Sequence, residues 1–176
     1  MIKLRKEKGQ AFSTFQLLIA AVVALALLAV LLPLLKSPNI GNSATKLTQD
    51  LLKSQQTNIG ALSYTQKVKI QPKYTMAVSG ITQNTGIDTD QVAIVVPSEL
   101  DGSSFSVSNN KLLTYKKSSK GTYIFGVLCD NREGLDDSIT NNNLNDKFNS
   151  ISVDNLFDPN STSGLIVCII FPERTS

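Results

Sequence analysis

From Gly9 to Leu35 the chain carries no charged side chain, a run of 27 residues reading GQAFSTFQLLIAAVVALALLAVLLPLL. Nothing else in the sequence constrains folding as strongly, because so much continuous apolar surface must be covered by lipid, by protein or by copies of itself. As a helix, Gln10 to Leu35 would measure about 39 Å at ~1.5 Å per residue, against ~30 Å for a hydrocarbon core. A membrane anchor, a discarded secretory signal and the adhesive end of a polymer are the three readings to separate. Secretory signals have an apolar core of roughly 7 to 15 residues followed by a small-x-small cleavage site. Here the core is longer, ends in Pro33, Lys36 and Pro38, and the Asn42-Ser43-Ala44 spacing fits that cleavage rule poorly. No cysteine directly follows the run, so a lipoprotein leader does not fit either.

Charge gives the orientation. Residues 1 to 9 hold Lys3, Arg5, Lys6 and Lys8 against Glu7, which equals the whole net charge of +3, and the remainder balances at 13 basic and 13 acidic residues. Basic residues before an apolar segment stay on the cytoplasmic side, which places everything after Leu35 outside. A balanced remainder without a basic stripe gives no footprint for nucleic acid. The chain also has no histidine. Without imidazole it cannot build a Ser-His-Asp or Cys-His site or the usual histidine-ligated metals, so the expectation is a structural or binding protein, not an enzyme, and no cofactor.

Within the run, Gln10, Ser13, Thr14 and Gln16 cluster at the start, and Ala20, Ala21, Ala24, Ala26 and Ala29 lie deeper, small residues that let helices approach closely. The junction RKEKGQAFSTFQLLIAAVV, a short charged leader ending in Lys8-Gly9 against a polar-then-apolar segment, resembles the leader of type IV pilin precursors, the archaeal kind in particular. Bacterial pilins commonly carry phenylalanine and glutamate where this chain has Gln10 and Thr14, which favours the archaeal or minor-pilin comparison. The resemblance, which covers Met1 to about Leu35, implies cleavage between Gly9 and Gln10 by a prepilin peptidase. It also implies a retained helix that leaves the membrane lipid to form a filament core with other copies or other pilins, driven by an assembly ATPase and its membrane platform protein. By that resemblance the product is a structural subunit, major or minor, of a surface filament used for adhesion or attachment. The alternative is a single-pass surface protein whose head binds a ligand or partner and never polymerises.

The expected organisation is a leader over 1–9, a hydrophobic helix over 10–35, an amphipathic continuation over 36–60 and a β-rich extracellular head over 61–176. In the continuation, Ile40, Ala44, Leu47 and Leu51 recur at helical spacing, with Lys46, Gln49, Lys53 and Gln56 on the solvated side. The period then drops to two. In LSYTQKVKI, Leu62, Tyr64, Val68 and Ile70 share one parity, the pattern of a half-buried strand. Further strands are expected at Tyr74–Val78, Gln91–Val96, Phe105–Val107, Lys111–Tyr115, Thr122–Cys129 and Gly164–Phe171, with FSVSNNKLLTY as a tight hairpin. The fold class expected is α+β: a long N-terminal hydrophobic helix followed by a mostly antiparallel sheet or small sandwich, pilin-like in outline.

From Asp130 to Ser163 the chain is rich in Asn, Asp and Ser and reads mainly as a solvated loop, with Leu144, Phe148 and Ile151 in one short helix. Asp130, Asp136 and Asp137 are near one another but lack a calcium-loop spacing, and no metal site is assigned. Cys129 and Cys168 lie on two predicted strands. An exported domain permits a disulfide closing a loop of about 40 residues, for roughly 4 kcal/mol, while two buried free thiols are the other reading. Asn160-Ser161-Thr162 is a sequon, so Asn160 is the candidate N-glycosylation site.

Overall fold

Two stretches, GTYIFGVLCDN from Gly121 and IVCIIFPER from Ile166, carry apolar side chains on both parities, which a strand needs only if both of its faces are covered. That requirement organises the head. The structure is a computed structural model that describes residues 16–27, 40–148 and 151–175. The chain divides into two compact units, Met1–Asn39 and Ile40–Ser176. In the first, helix α1 covers residues 16–27.

The second unit begins with α2 (Ile40–Gln55), followed by β1 (Leu62–Tyr64), β2 (Val68–Ile70), β3 (Thr75–Ala77), α3 (Val78–Thr82) and β4 (Val92–Ile94). A hairpin of β5 (Phe105–Ser108) and β6 (Leu112–Tyr115) leads to the long strand β7 (Gly121–Asn131). Four short helices come next: α4 (Leu135–Asn141), α5 (Asn145–Phe148), α6 (Val153–Leu156) and α7 (Pro159–Thr162), before the closing strand β8 (Ile166–Arg174). The central sheet runs β1-β7-β8-β4, with β2 also on β7, and a second sheet runs β3-β6-β5. At the β5–β6 turn Asn109 and Asn110 both have positive φ, 49° and 54°, as a two-residue hairpin turn requires.

Side-chain parity sorts the central sheet into two cores. Tyr123, Phe125, Val127 and Cys129 of β7, with Cys168 and Ile170 of β8, join the core that includes Ala44 and Leu52 of α2 and Phe105 and Leu113 of the second sheet. Leu128, Val167, Ile169 and Phe171 join the other core, with Leu135, Ile139, Leu144, Phe148, Val153 and Phe157. Helices α4, α5 and α6 therefore form a layer over the second face, where the composition had read as a solvated loop. The physical reason is the sheet itself: nine residues of β8 cannot leave one apolar parity in water.

The expected fold class needs correction in two respects. The central sheet is mixed, because β4 pairs parallel to β8 at Val92↔Cys168 through Ile94↔Ile170. Among the described residues no helix is long and apolar enough to cross a membrane. The described part of α1 spans about 18 Å at ~1.5 Å per residue, and α2 is a polar helix of the second unit. The 1–15 and 28–39 parts of the expected leader, helix and continuation lie outside the described residues. The architecture described is α+β with a mixed five-stranded sheet and a three-stranded antiparallel one.

Two local readings also change. The single strand expected over LSYTQKVKI is two strands separated by a bulge. Leu62↔Leu128 to Tyr64↔Gly126 follow one register, and Val68↔Tyr123 to Ile70↔Gly121 follow a register shifted by one residue. A one-residue shift flips the faces, so Leu62 packs in the second core while Val68 and Ile70 enter the first. Thr65 anchors the break: its amide donates to the Phe125 carbonyl at 2.9 Å and its Oγ1 accepts the Phe125 amide at 3.0 Å. On α2 the buried stripe is Ala44, Thr48, Leu52 and Gln55, with Leu47 and Leu51 at its margins.

Pro172 fits near the middle of the sheet for a positional reason. Ile166 and Ile170 turn their carbonyls toward the β4 side, to Gln91 Nε2 and the Val95 amide, so residue 172 faces that side too. The β4 pairing has ended at Ile94↔Ile170, and the missing N–H has no ladder to break.

Candidate functional site

The expected cleavage residues Gly9 and Gln10 lie outside the described residues. What is described of the uncharged run is α1, and its surface is apolar all round. Leu17, Leu18, Ile19, Val22, Val23, Leu25 and Leu27 are each 47–70 % exposed. A helix with no polar face has nothing to gain from water.

Cys129 and Cys168 lie directly opposite each other on β7 and β8, both fully buried, with Sγ–Sγ bonded at 2.08 Å and Cα atoms 4.1 Å apart. The local ladder explains the close approach. The Cys129 carbonyl accepts from the Gly60 amide, so its backbone groups face away from β8, and Cys168 shares the β4-facing parity of Ile166 and Ile170. The pair therefore occupies a non-hydrogen-bonded position, where opposite side chains come closest. Next to it, the Asp130 carboxylate accepts from the Ser138 hydroxyl and, at 2.7 Å, from the Asn131 amide, tying the end of β7 to α4. Asp136 and Asp137 are exposed on the first turn of α4. Among the described residues no three His, Cys, Asp or Glu side chains are grouped so as to hold a metal ion.

Asn160 is exposed on α7, but its sequon is folded tightly. The Asn160 amide donates to Asp158 Oδ1 at 2.9 Å, and the fully buried Thr162 donates its hydroxyl to the Asp158 carbonyl at 2.7 Å. The threonine hydroxyl of the sequon is thus engaged within the turn that presents the asparagine.

A cleft missed in the sequence lies at the end of the sheet where β6 turns into β7. Its volume is about 310 Å³, and Tyr115, Lys117, Lys120, Gly121, Tyr123 and Arg174 are among its lining residues. Tyr115 and Tyr123 are each only 2 % exposed and pack edge-on at 5.7 Å, with Phe105 against both rings at 5.2 and 4.8 Å. Burial, and then the neighbouring Tyr123 hydroxyl, pushes the Tyr115 phenol up to about 12. The Tyr115 hydroxyl donates to the Ser119 carbonyl at 3.0 Å, which holds the turn over the tyrosines. At Gly121 a Cβ would sit 2.5 Å from both the Tyr115 oxygen and a Tyr123 ring carbon, so this position admits no side chain. The available sequence signal was KKSSKG between two aromatic strands, but Arg174 joins it only through the β7–β8 pairing.

Compared with protein-family models, with curated proteins and with solved structures, the chain matches none.

Proposed function

We propose that this chain is a subunit of a type IV pilin-like surface filament, cut between Gly9 and Gln10, held at the membrane through its uncharged run and then assembled with other copies or other pilins. The observation that carries the reading is the run itself, 27 residues without charge directly after Lys8 and opening on Gly9, together with the seven exposed large apolar side chains of α1. Such a surface is satisfied by lipid or by identical helices, so exchanging one cover for the other costs little while contacts between subunits accumulate. Removal of the leader takes away Lys3, Arg5, Lys6 and Lys8, the charges that would hold the segment's start at the cytoplasmic face. The partners in this reading are a prepilin peptidase, an assembly ATPase and its membrane platform protein. The head is an exported structural domain, and its work is attachment, not turnover.

Mass spectrometry of the mature chain tests the first step: the amino terminus is expected at Gln10. A mature chain starting at Met1 or Ile2 would instead favour an anchored surface protein that does not polymerise, and one starting beyond Leu35 would remove the assembly model. Electron microscopy with an antibody to the head is expected to label filaments along the shaft.

A further inference from the structure

The β6–β7 turn, Lys116-Lys117-Ser118-Ser119-Lys120, closes over the end of the central sheet beside Arg174 of β8. We propose that this cleft binds an oxyanion: Lys117, Lys120 and Arg174 converge above the hydroxyls of Tyr115 and Tyr123 and take the phosphate or carboxylate group of a small ligand.

Charge is the first argument. Three cations line the cleft and no acidic side chain does. The ion pairs among the described residues are Arg132–Asp154 and Lys147–Glu173, so none of the three cations has an acidic partner among those residues. Beyond the leader the chain is electrically balanced, and gathering like charges here costs repulsion that an anion relieves. Arg174 supplies a planar fork suited to two oxygens of one group, and the lysines supply ammonium point charges.

Shape is the second argument. The floor is preformed, because the tyrosine rings are locked against Phe105 and the turn is tied to Tyr115 through the Ser119 carbonyl. Gly121 lets the backbone close directly onto that floor, since a Cβ there would lie 2.5 Å from the Tyr115 hydroxyl. A volume of about 310 Å³ admits an oxyanion with a substituent the size of one sugar ring. Glu99 borders the adjoining groove that shares Arg174 and Thr175, so the positive field narrows there. That geometry suits one oxyanion group and opposes an extended polyanion.

This inference concerns the head alone and does not depend on cleavage or assembly. The test uses the full-length ¹⁵N-labelled chain in non-ionic detergent, titrated with sodium phosphate and, separately, with glucuronate, at ionic strength matched with chloride. Expected are saturable amide shifts confined to Ser119–Thr122 and Arg174–Thr175. Lys120→Ser and Arg174→Gln should each weaken binding by about tenfold, the loss of one charge-assisted contact. Lys53→Ser, on the exposed side of α2, should leave it unchanged. Tighter phosphate binding would identify a phosphorylated ligand, and tighter glucuronate binding an acidic sugar. No saturable shift with either anion, or shifts that survive both cleft substitutions, would overturn the site.

Discussion

Gly126 and Phe171 face each other across the β7–β8 pair, and a Cβ on Gly126 would lie 2.4 Å from the Phe171 ring. The ring has no easy retreat. Tyr64 meets it edge-on at 6.1 Å and Phe148 at 5.0 Å, from β1 and from the helical layer. Gly126→Ala should therefore act as an overpacking substitution and cost about 1–3 kcal/mol. Urea unfolding checks this as a lower midpoint at unchanged slope.

The Cys129–Cys168 bridge joins the two innermost strands and closes a loop of 39 residues in sequence separation. On the chain-entropy model, replacing both cysteines by alanine should cost about 4 kcal/mol. Thiol titration in denaturant without reductant is expected to count no free thiol in protein from an oxidising medium; two per chain would contradict the bridge.

The helical layer of α4, α5 and α6 can be weighed directly. Leu144 is fully buried in the second core, so Leu144→Ala should destabilise the head by about 2–5 kcal/mol. Asp137→Ala, on the solvent side of the same layer, should stay within about 0.5 kcal/mol. Equal, near-zero effects in the denaturation curves would mean that the layer is not packed on the sheet.

Stability should fall at alkaline pH. Burial pushes Tyr115 up to about 12; burial and the Glu173 carboxylate do the same to Tyr64, and burial raises Tyr74. In the unfolded chain these phenols return to the ordinary value of about 10. A raised folded value means that the folded state keeps protons the unfolded state has lost. The contribution is therefore complete below about pH 10 and is lost as pH rises toward 12. Tyrosinate absorbance should appear later in the native chain than in urea, and the unfolding midpoint should drop over that window.

How much of this was written in the sequence differs by element. The FSVSNNKLLTY hairpin was legible because Asn109-Asn110 is a local turn signal that needs no tertiary partner. The bulge after Thr65 was not, since Leu62, Tyr64, Val68 and Ile70 keep one parity in sequence and only the β7 register places them on two faces. The helical layer had a signal that composition hid: Leu135, Ile139, Leu144, Phe148, Val153 and Phe157 recur every four or five residues among Asn and Asp. The double-sided apolar character of β7 and β8 pointed to a second cover in any case. The basic cleft depended on bringing Arg174 beside a turn more than fifty positions earlier, which spacing alone does not reveal.

Strand β8 follows every other described element in chain order, yet it lies between β7 and β4 and supplies side chains to both cores. A nascent chain emerging amino end first thus has no stable partial product: until those nine residues arrive, β4 has no strand to pair with, Cys129 has no disulfide partner and two apolar surfaces stay open together. Closure becomes a single late event, and a ribosome stalled before Ile166 leaves a sticky, unlocked precursor for chaperones or proteases to claim.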